Sequence, residues 1–284
     1  MIFIVTAFLH FLIVVKCKDI SNQYVFYDWT SAAIPSKSDT FFNWISNAKN
    51  HENLDLFQDK VVSKMSLVRL KFNFPYFGNI VSSLILTPVG RVIVPDDYML
   101  ERLQHTAPND VHKILTDSII YREAMNVFMH ADVQGRSTVE FFWTNSKEGF
   151  NIRWNMKLNF TTGLSSNSFE LRIKPNGDIL FVYSNISLTE GIFAELCDAY
   201  VRPIDLIHGI YDRHLYHSIN LSSSDIKSNT YVTFTPRPSC SRFSKCSSCV
   251  WSDTEDLECI WCDGVCLNKF DRYRHKYVRI FHNL

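Results

Sequence analysis

The sequence predicts an all-β protein with minor helix: a β-sandwich-like domain followed by a small disulfide-rich module. Three observations carry this. Between Val61 and Pro238 the apolar runs are short, often alternate, and are closed by Gly, Pro or Asn. Two stretches in that region have the form of hairpins. Six of the eight cysteines then crowd between Cys240 and Cys266, a stretch too short to bury a core that offsets its own chain entropy.

The chain opens on an apolar run, Ile2 to Val15, ended by Lys16. It is short for a membrane span and has the length of a signal-peptide core, with Val15 and Cys17 before a cut near Lys18. Residues 1–17 are therefore expected to be a signal peptide, with a signal anchor as the alternative. Three N-x-S/T sequons, at Asn159, Asn185 and Asn220, fit the same secretory route and predict surface positions for those side chains.

Residues 18–60 are polar and weakly patterned and are expected to be a linker or N-terminal arm. Phe42, Ile45 and Ala48 have the spacing of a short helix. Tyr24, Phe26, Tyr27 and Trp29 suit a terminal strand or arm packed on the following domain.

Residues 61–238 are expected to form one β-rich domain. Leu67 to Phe72 alternates and leads into Phe74-Pro75-Tyr76-Phe77-Gly78. Val81 to Thr87 and Val92 to Val94 are further runs, each closed by Pro or Gly. Residues 96–135 are less regular, with helical turns expected in Tyr98–Leu103 and Val111–Met129. Ser137–Phe142 and Gly149–Leu158 read as a hairpin turning at 144–147; Ile152, Trp154, Met156 and Leu158 put one apolar face on its second strand. Phe169–Ile173 and Ile179–Tyr183 read as a second hairpin, turned by Pro175-Asn176-Gly177, where Asn-Gly supplies positive φ.

Composition excludes some function classes. The 29 basic and 29 acidic residues cancel and form no basic stripe, so nucleic acid is not an expected partner. No phosphate loop, nucleophile elbow or HExxH occurs. Cys197 lacks the surrounding signature of a catalytic thiol; a buried thiol, or a bridge to Cys246 or Cys262, is the expectation. His105, His112 and His130 show no i, i+4 pair. His208, His214 and His217 are the densest histidine group, and without supporting ligands they read as strand histidines, partly exposed. No catalytic residue, metal ligand or cofactor is assigned.

The cysteine cluster itself admits two readings. Two CxxC pairs, Cys246/Cys249 and Cys259/Cys262, nine residues apart, can wrap one zinc ion; alternatively the six cysteines form a disulfide knot. An oxidising compartment favours the knot.

The order of Cys240, Cys246-Ser-Ser-Cys249, Cys259-Ile-Trp-Cys262 and Cys266 resembles the PSI module of plexins, semaphorins and integrins. With Thr233–Cys240 (TFTPRPSC) before it, Phe270–Arg274 (FDRYR) after it and Phe72–Asn79 (FNFPYFGN) upstream, the sequence is similar to the plexin domain-containing protein family, across roughly residues 61–277. Phe169–Tyr183 resembles the nidogen-like domain that such proteins carry. The resemblance implies a nidogen-like domain over 61–238 and a PSI module over 239–284, with bridges Cys240–Cys259 and Cys249–Cys266. Cys246 and Cys262 match positions that pair with cysteines beyond Cys266, and the sequence contains none there; the module is expected to be C-terminally incomplete, the alternatives being a Cys246–Cys262 bridge or one of the two left free to pair with another chain. Cys197, Cys246 and Cys262 are left without assigned partners. The resemblance further implies a non-enzymatic cell-surface or extracellular protein that binds protein ligands or matrix components, joined to the membrane only through a helix after the module, as in a type I membrane protein. The alternatives are a secreted thiol- or zinc-dependent enzyme and a soluble structural matrix protein.

Overall fold

A computed structural model of the chain describes residues 26–35, 50–56, 65–95, 99–101, 121–130, 137–160, 163–188, 191–205, 210–240, 243–251, 259–262 and 265–268. Residues 1–17, the sequence Phe270–Arg274, His105, His112 and His208 lie outside this set, as do the side chains of His130, Asn159 and Cys262.

Two antiparallel sheets face each other. The first has the order β1 (Tyr27–Ala33), β13 (Thr230–Pro236), β10 (Ile179–Asn185), β9 (Gly163–Ile173), β8 (Phe150–Phe160), β7 (Ser137–Asn145) and β2 (Asn50–Leu56). The second has the order β12 (Ile210–Leu221), β11 (Ile192–Asp205), β6 (Tyr121–His130), β5 (Arg91–Val94), β4 (Asn79–Leu86) and β3 (Ser66–Tyr76). Phe150, Ile152, Trp154, Met156 and Leu158 alternate along β8 and enter the core, as their spacing requires. Across the gap they meet Leu84, Leu86, Val92, Val94, Met125 and Leu196. Phe169 stacks on Phe128 at 4.8 Å and on Trp154 at 5.4 Å. Hydrogen bonds cross between the sheets within the core: Trp154 Nε1–H donates to the carbonyl of Thr87 (3.1 Å) and the Tyr183 hydroxyl to that of Val127 (3.0 Å). Polar tips on large apolar bodies thus find acceptors inside the core.

The turns follow their residues. Phe77 (φ 44) and Gly78 (φ 79) form a two-residue β3–β4 turn of the primed kind, which matches the twist of its strands. At β9–β10, Gly177 N–H bonds to the Lys174 carbonyl (2.9 Å) with Pro175 and Asn176 between them, and Gly177 takes φ 92. β7 and β8 pair as a hairpin from Thr138↔Lys157 to Asn145↔Phe150.

Two expectations are corrected. Residues 18–60 are not wholly a linker: β1, where a terminal strand or arm is expected, and β2 are the two edges of the seven-stranded sheet, while Phe42, Ile45 and Ala48 lie outside the described residues. The helical turns expected within Val111–Met129 give way to strand β6 from Tyr121 onward. Residues 122–128 are all buried, because β6 lies between β5 and β11 and its outward polar groups sit in ion pairs. A strand buried on both faces has no alternation to read. Of the turn expected at Tyr98–Leu103, residues 99–101 are helical.

Among its described residues, the C-terminal module has a short helix, α1 (Cys246–Val250), and a hairpin of β14 (Cys259–Cys262) with β15 (Val265–Asn268).

Candidate functional site

Three groupings bring together the residues singled out in the sequence.

The first is the cysteine module. Disulfides join Cys240 to Cys259 and Cys249 to Cys266, the same pairing that the resemblance implies. The sulfurs of Cys240, Cys259 and Cys266 lie within 4.8 Å of one another, so the two bridges pack together. Phe243 and Trp261 close around them. Sulfur consumed in a disulfide offers no thiolate, so these cysteines are not arranged as a zinc site. Each closed loop, spanning 19 and 17 residues of separation, contributes about 3 kcal/mol on a chain-entropy account. Cys246 is a free, exposed thiol at the start of α1. Next to it, Val250 and Trp251 are exposed, Trp251 at 82%.

The second grouping is a set of charges on the outer face of the six-stranded sheet. Glu195, Asn126 and Arg91 share one row across β11, β6 and β5. Arg213 from β12 bridges Glu123 and Glu195 at 2.7 Å each. Arg91 lies 3.2 Å from Glu123, and Asn126 donates to both carboxylates. Burial opposes ionisation of Glu123, but Arg91 and Arg213 outweigh it and hold the carboxyl below its ordinary range. The Cys197 sulfur lies within 4.8 Å of both carboxylates. Burial, then Glu195 and Glu123, push this thiol well above its ordinary value. A nucleophilic cysteine needs the opposite environment, one that favours thiolate. A cation seated on Glu123, Glu195 and Cys197 would have to displace guanidinium groups already bound there. Cys197 is thus a buried free thiol, without the considered bridge to Cys246.

The third grouping closes one end of the sandwich. The β3–β4 hairpin tip curls over the inner face of its own sheet. This is possible because the β3–β4 register breaks between Arg69 and Phe74. Phe77 stacks on His217 of β12 at 5.7 Å and meets Phe26 edge-on at 5.6 Å. Beneath it, Arg122 and Asp198 form a buried ion pair at 2.6 Å, with the guanidinium 5.5 Å from the Tyr76 ring centre. Burial works against the Arg122 cation, and Asp198 more than restores it. His217 is half-buried here, whereas His214 is exposed and meets Tyr216 edge-on at 4.6 Å. The two histidines do not converge on one ligand position.

Asn185 and Asn220 are exposed, as glycan acceptors must be. Asn185 lies at the end of β10 and Asn220 near the end of β12.

Sequence reasoning did not find Glu123, Asn126, Glu195, Arg213, Arg122 or Asp198. Charged residues inside strands were the available signal, since an exposed strand face and a buried ion-pair face look alike until the partners are known. No protein-family model matches this chain, and no solved structure is significantly similar to it. No helix among the described residues is long and apolar enough to cross a membrane.

Proposed function

We propose that this chain is a non-enzymatic extracellular or cell-surface protein whose β-sandwich binds protein ligands or matrix components. The observation that carries the reading is the cystine core of the C-terminal module. A module whose interior is two packed disulfides depends on an oxidising compartment to fold. The apolar run Ile2 to Val15 and the sequons support the same compartment. The order of the cysteines supports kinship with plexin domain-containing proteins, hence a nidogen-like domain carried on a PSI module. In that family the module acts as a rigid wedge that orients the binding domain, and the members are single-pass receptors.

The ion pairs support the same conclusion from another side. Glu123 and Glu195 are engaged by Arg213, Asp198 is engaged by Arg122, and Cys197 is held as a thiol. Such an arrangement suits a rigid scaffold that presents its surface.

The test begins with expression in secreting cells, alkylation of free thiols, and a non-reducing disulfide map. Recovery in the medium with bridges Cys240–Cys259 and Cys249–Cys266 is expected. Immobilised basement-membrane extract should then retain the oxidised protein saturably and lose it after reduction. Retention in the cytosol with all six cluster thiols alkylating, or thiols protected only while zinc is present, would overturn the reading.

A further inference from the structure

The four sheet edges are not alike. Strand β2 carries Glu52 and Asp55. Strand β3 carries Arg69, Lys71 and Pro75 and a broken register. Strand β12 carries Asp212 and Arg213 and two register shifts. Charge, proline and bulges are the devices that keep an edge from pairing with another chain. Strand β1, Tyr27–Ala33 (YDWTSAA), has no lysine, no proline and an unbroken seven-residue register with β13. Its one charge, Asp28, is already bound to Arg237 within its own chain. Six of its seven residues are exposed, and among the described residues no strand pairs with its outer side.

The open edge has a definite polarity. Ile34 N–H donates to the Asn229 carbonyl and Arg237 N–H to the Phe26 carbonyl, both at 2.8 Å. Hydrogen-bonded positions alternate along an antiparallel strand, so Phe26, Asp28, Thr30, Ala32 and Ile34 face β13. The backbone donors and acceptors of Tyr27, Trp29, Ser31 and Ala33 therefore point to the open side.

We propose that β1 is a homodimer edge: a second copy of this chain adds its own β1 antiparallel, about a two-fold axis at Thr30, and joins the two seven-stranded sheets into one. The sequence of β1 is complementary to itself in this register. Tyr27 falls opposite Ala33 of the second copy and Trp29 opposite Ser31, and these are the residues whose backbone groups face outward. Thr30 meets Thr30 in the close, non-hydrogen-bonded position. Asp28 falls opposite Ala32, so like charges do not meet. Trp29, 42% exposed in the single chain, becomes the diagonal same-face neighbour of the other Trp29, within reach of an aromatic contact. The interface is isologous, as two-fold symmetry requires. It rests on the geometry of β1 alone and is independent of the proposed function.

Light scattering and sedimentation of the full secreted chain over a concentration series test it. The expected mass is that of two chains, falling to one on dilution. Ser31→Pro removes an outward N–H and leaves the β13 ladder intact, so it should give a single-chain mass with unchanged far-ultraviolet circular dichroism. Ser31→Lys, a milder edge block, should weaken self-association at least tenfold and guards against a folding defect in the proline variant. Thr30→Cys in a Cys246→Ser background should cross-link to itself under mild oxidation, with the linked peptide identified by mass. A single-chain mass at every concentration overturns the proposal. So does a two-chain mass that survives Ser31→Lys, or protection of the Trp29 and Ser31 amides by a co-purified peptide of another protein.

Discussion

The hydroxyl of Tyr76 lies 2.5 Å from the carbonyl oxygen of Cys197, 121 residues away in the chain, and 2.6 Å from that of Ala124. One side chain from the β3–β4 hairpin thus serves backbone acceptors on β11 and β6, well across its own sheet. Burial pushes the phenol well above its ordinary range, which keeps the donor proton in place.

Tyr76→Phe keeps the ring in the core and removes that donor. The two buried carbonyls that share its single proton then lose it, at a cost of about 1–3 kcal/mol. Urea unfolding should show a lower midpoint with an unchanged slope. A midpoint equal to wild type would mean that the hydroxyl is not needed to hold the tip down.

Arg122 and Asp198 lie under the same tip and should behave as a unit. Asp198→Ala leaves a guanidinium buried without its counter-ion, and breaking a buried pair in this way costs about 3–5 kcal/mol. Arg122→Met combined with Asp198→Leu removes both charges and should cost clearly less than the two single losses added together. A double-mutant cycle by urea denaturation measures the difference; strict additivity would show that the two residues are not coupled.

Acid should weaken the protein partly through Glu123. Its carboxyl is held below the ordinary glutamate value of 4.5: burial opposes ionisation, and Arg91 and Arg213 prevail. Between the native and ordinary values the unfolded chain binds the proton and the folded chain does not. The stabilisation is therefore complete above the ordinary value and is lost as pH falls through the native one. Glu123→Gln should flatten the acid limb of a stability–pH profile, while lowering stability at neutral pH because Arg213 loses a partner. An acid limb unchanged in this variant would assign the acid sensitivity to other groups.

The parts legible in sequence are those written locally. Pro175-Asn176-Gly177 marks its own turn, and the alternation of β8 marks its own face. What was not legible depends on partners far away in the chain. β1 reads as a terminal strand or arm, but its partner β13, some two hundred residues later, cannot be read from the segment itself. Residues 122–128 look like a helical stretch because Glu123 and Asn126 are buried by Arg91, Arg213 and Glu195, which cancels the alternation that marks a half-exposed strand. The cysteines lie between these cases: their crowding marks a cross-linked segment, but the bridges Cys240–Cys259 and Cys249–Cys266 and the state of Cys197 and Cys246 follow only from where each thiol ends up.

Those two thiols should separate cleanly by reactivity. Cys246 is exposed, whereas Cys197 is fully buried with its thiol pushed up by burial and by Glu195 and Glu123. Iodoacetamide at neutral pH should label Cys246 in the native protein and reach Cys197 only in denaturant. Native labelling of Cys197 would place it in an opening that the sandwich as described does not have.

Gly177 should tolerate no side chain, for two separate reasons. Its φ of 92 is one that residues with a Cβ rarely adopt. The space is also taken: a Cβ there would sit 2.6 Å from Pro75 Cγ and 2.9 Å from Pro236 Cγ. Pro75 belongs to β3 and Pro236 to β13, so this turn is packed against a strand of each sheet. Gly177→Ala should therefore destabilise by more than the roughly 1 kcal/mol of a Gly-to-Ala change at an unstrained position, and with the opposite sign, since such a change normally stabilises. Pro75→Ala relieves the nearer of the two contacts but leaves the backbone strain. If contact dominates, the Gly177→Ala/Pro75→Ala pair recovers part of the loss in a thermal melt. If the pair melts no higher than the sum of the single effects allows, the backbone conformation alone demands glycine at this position.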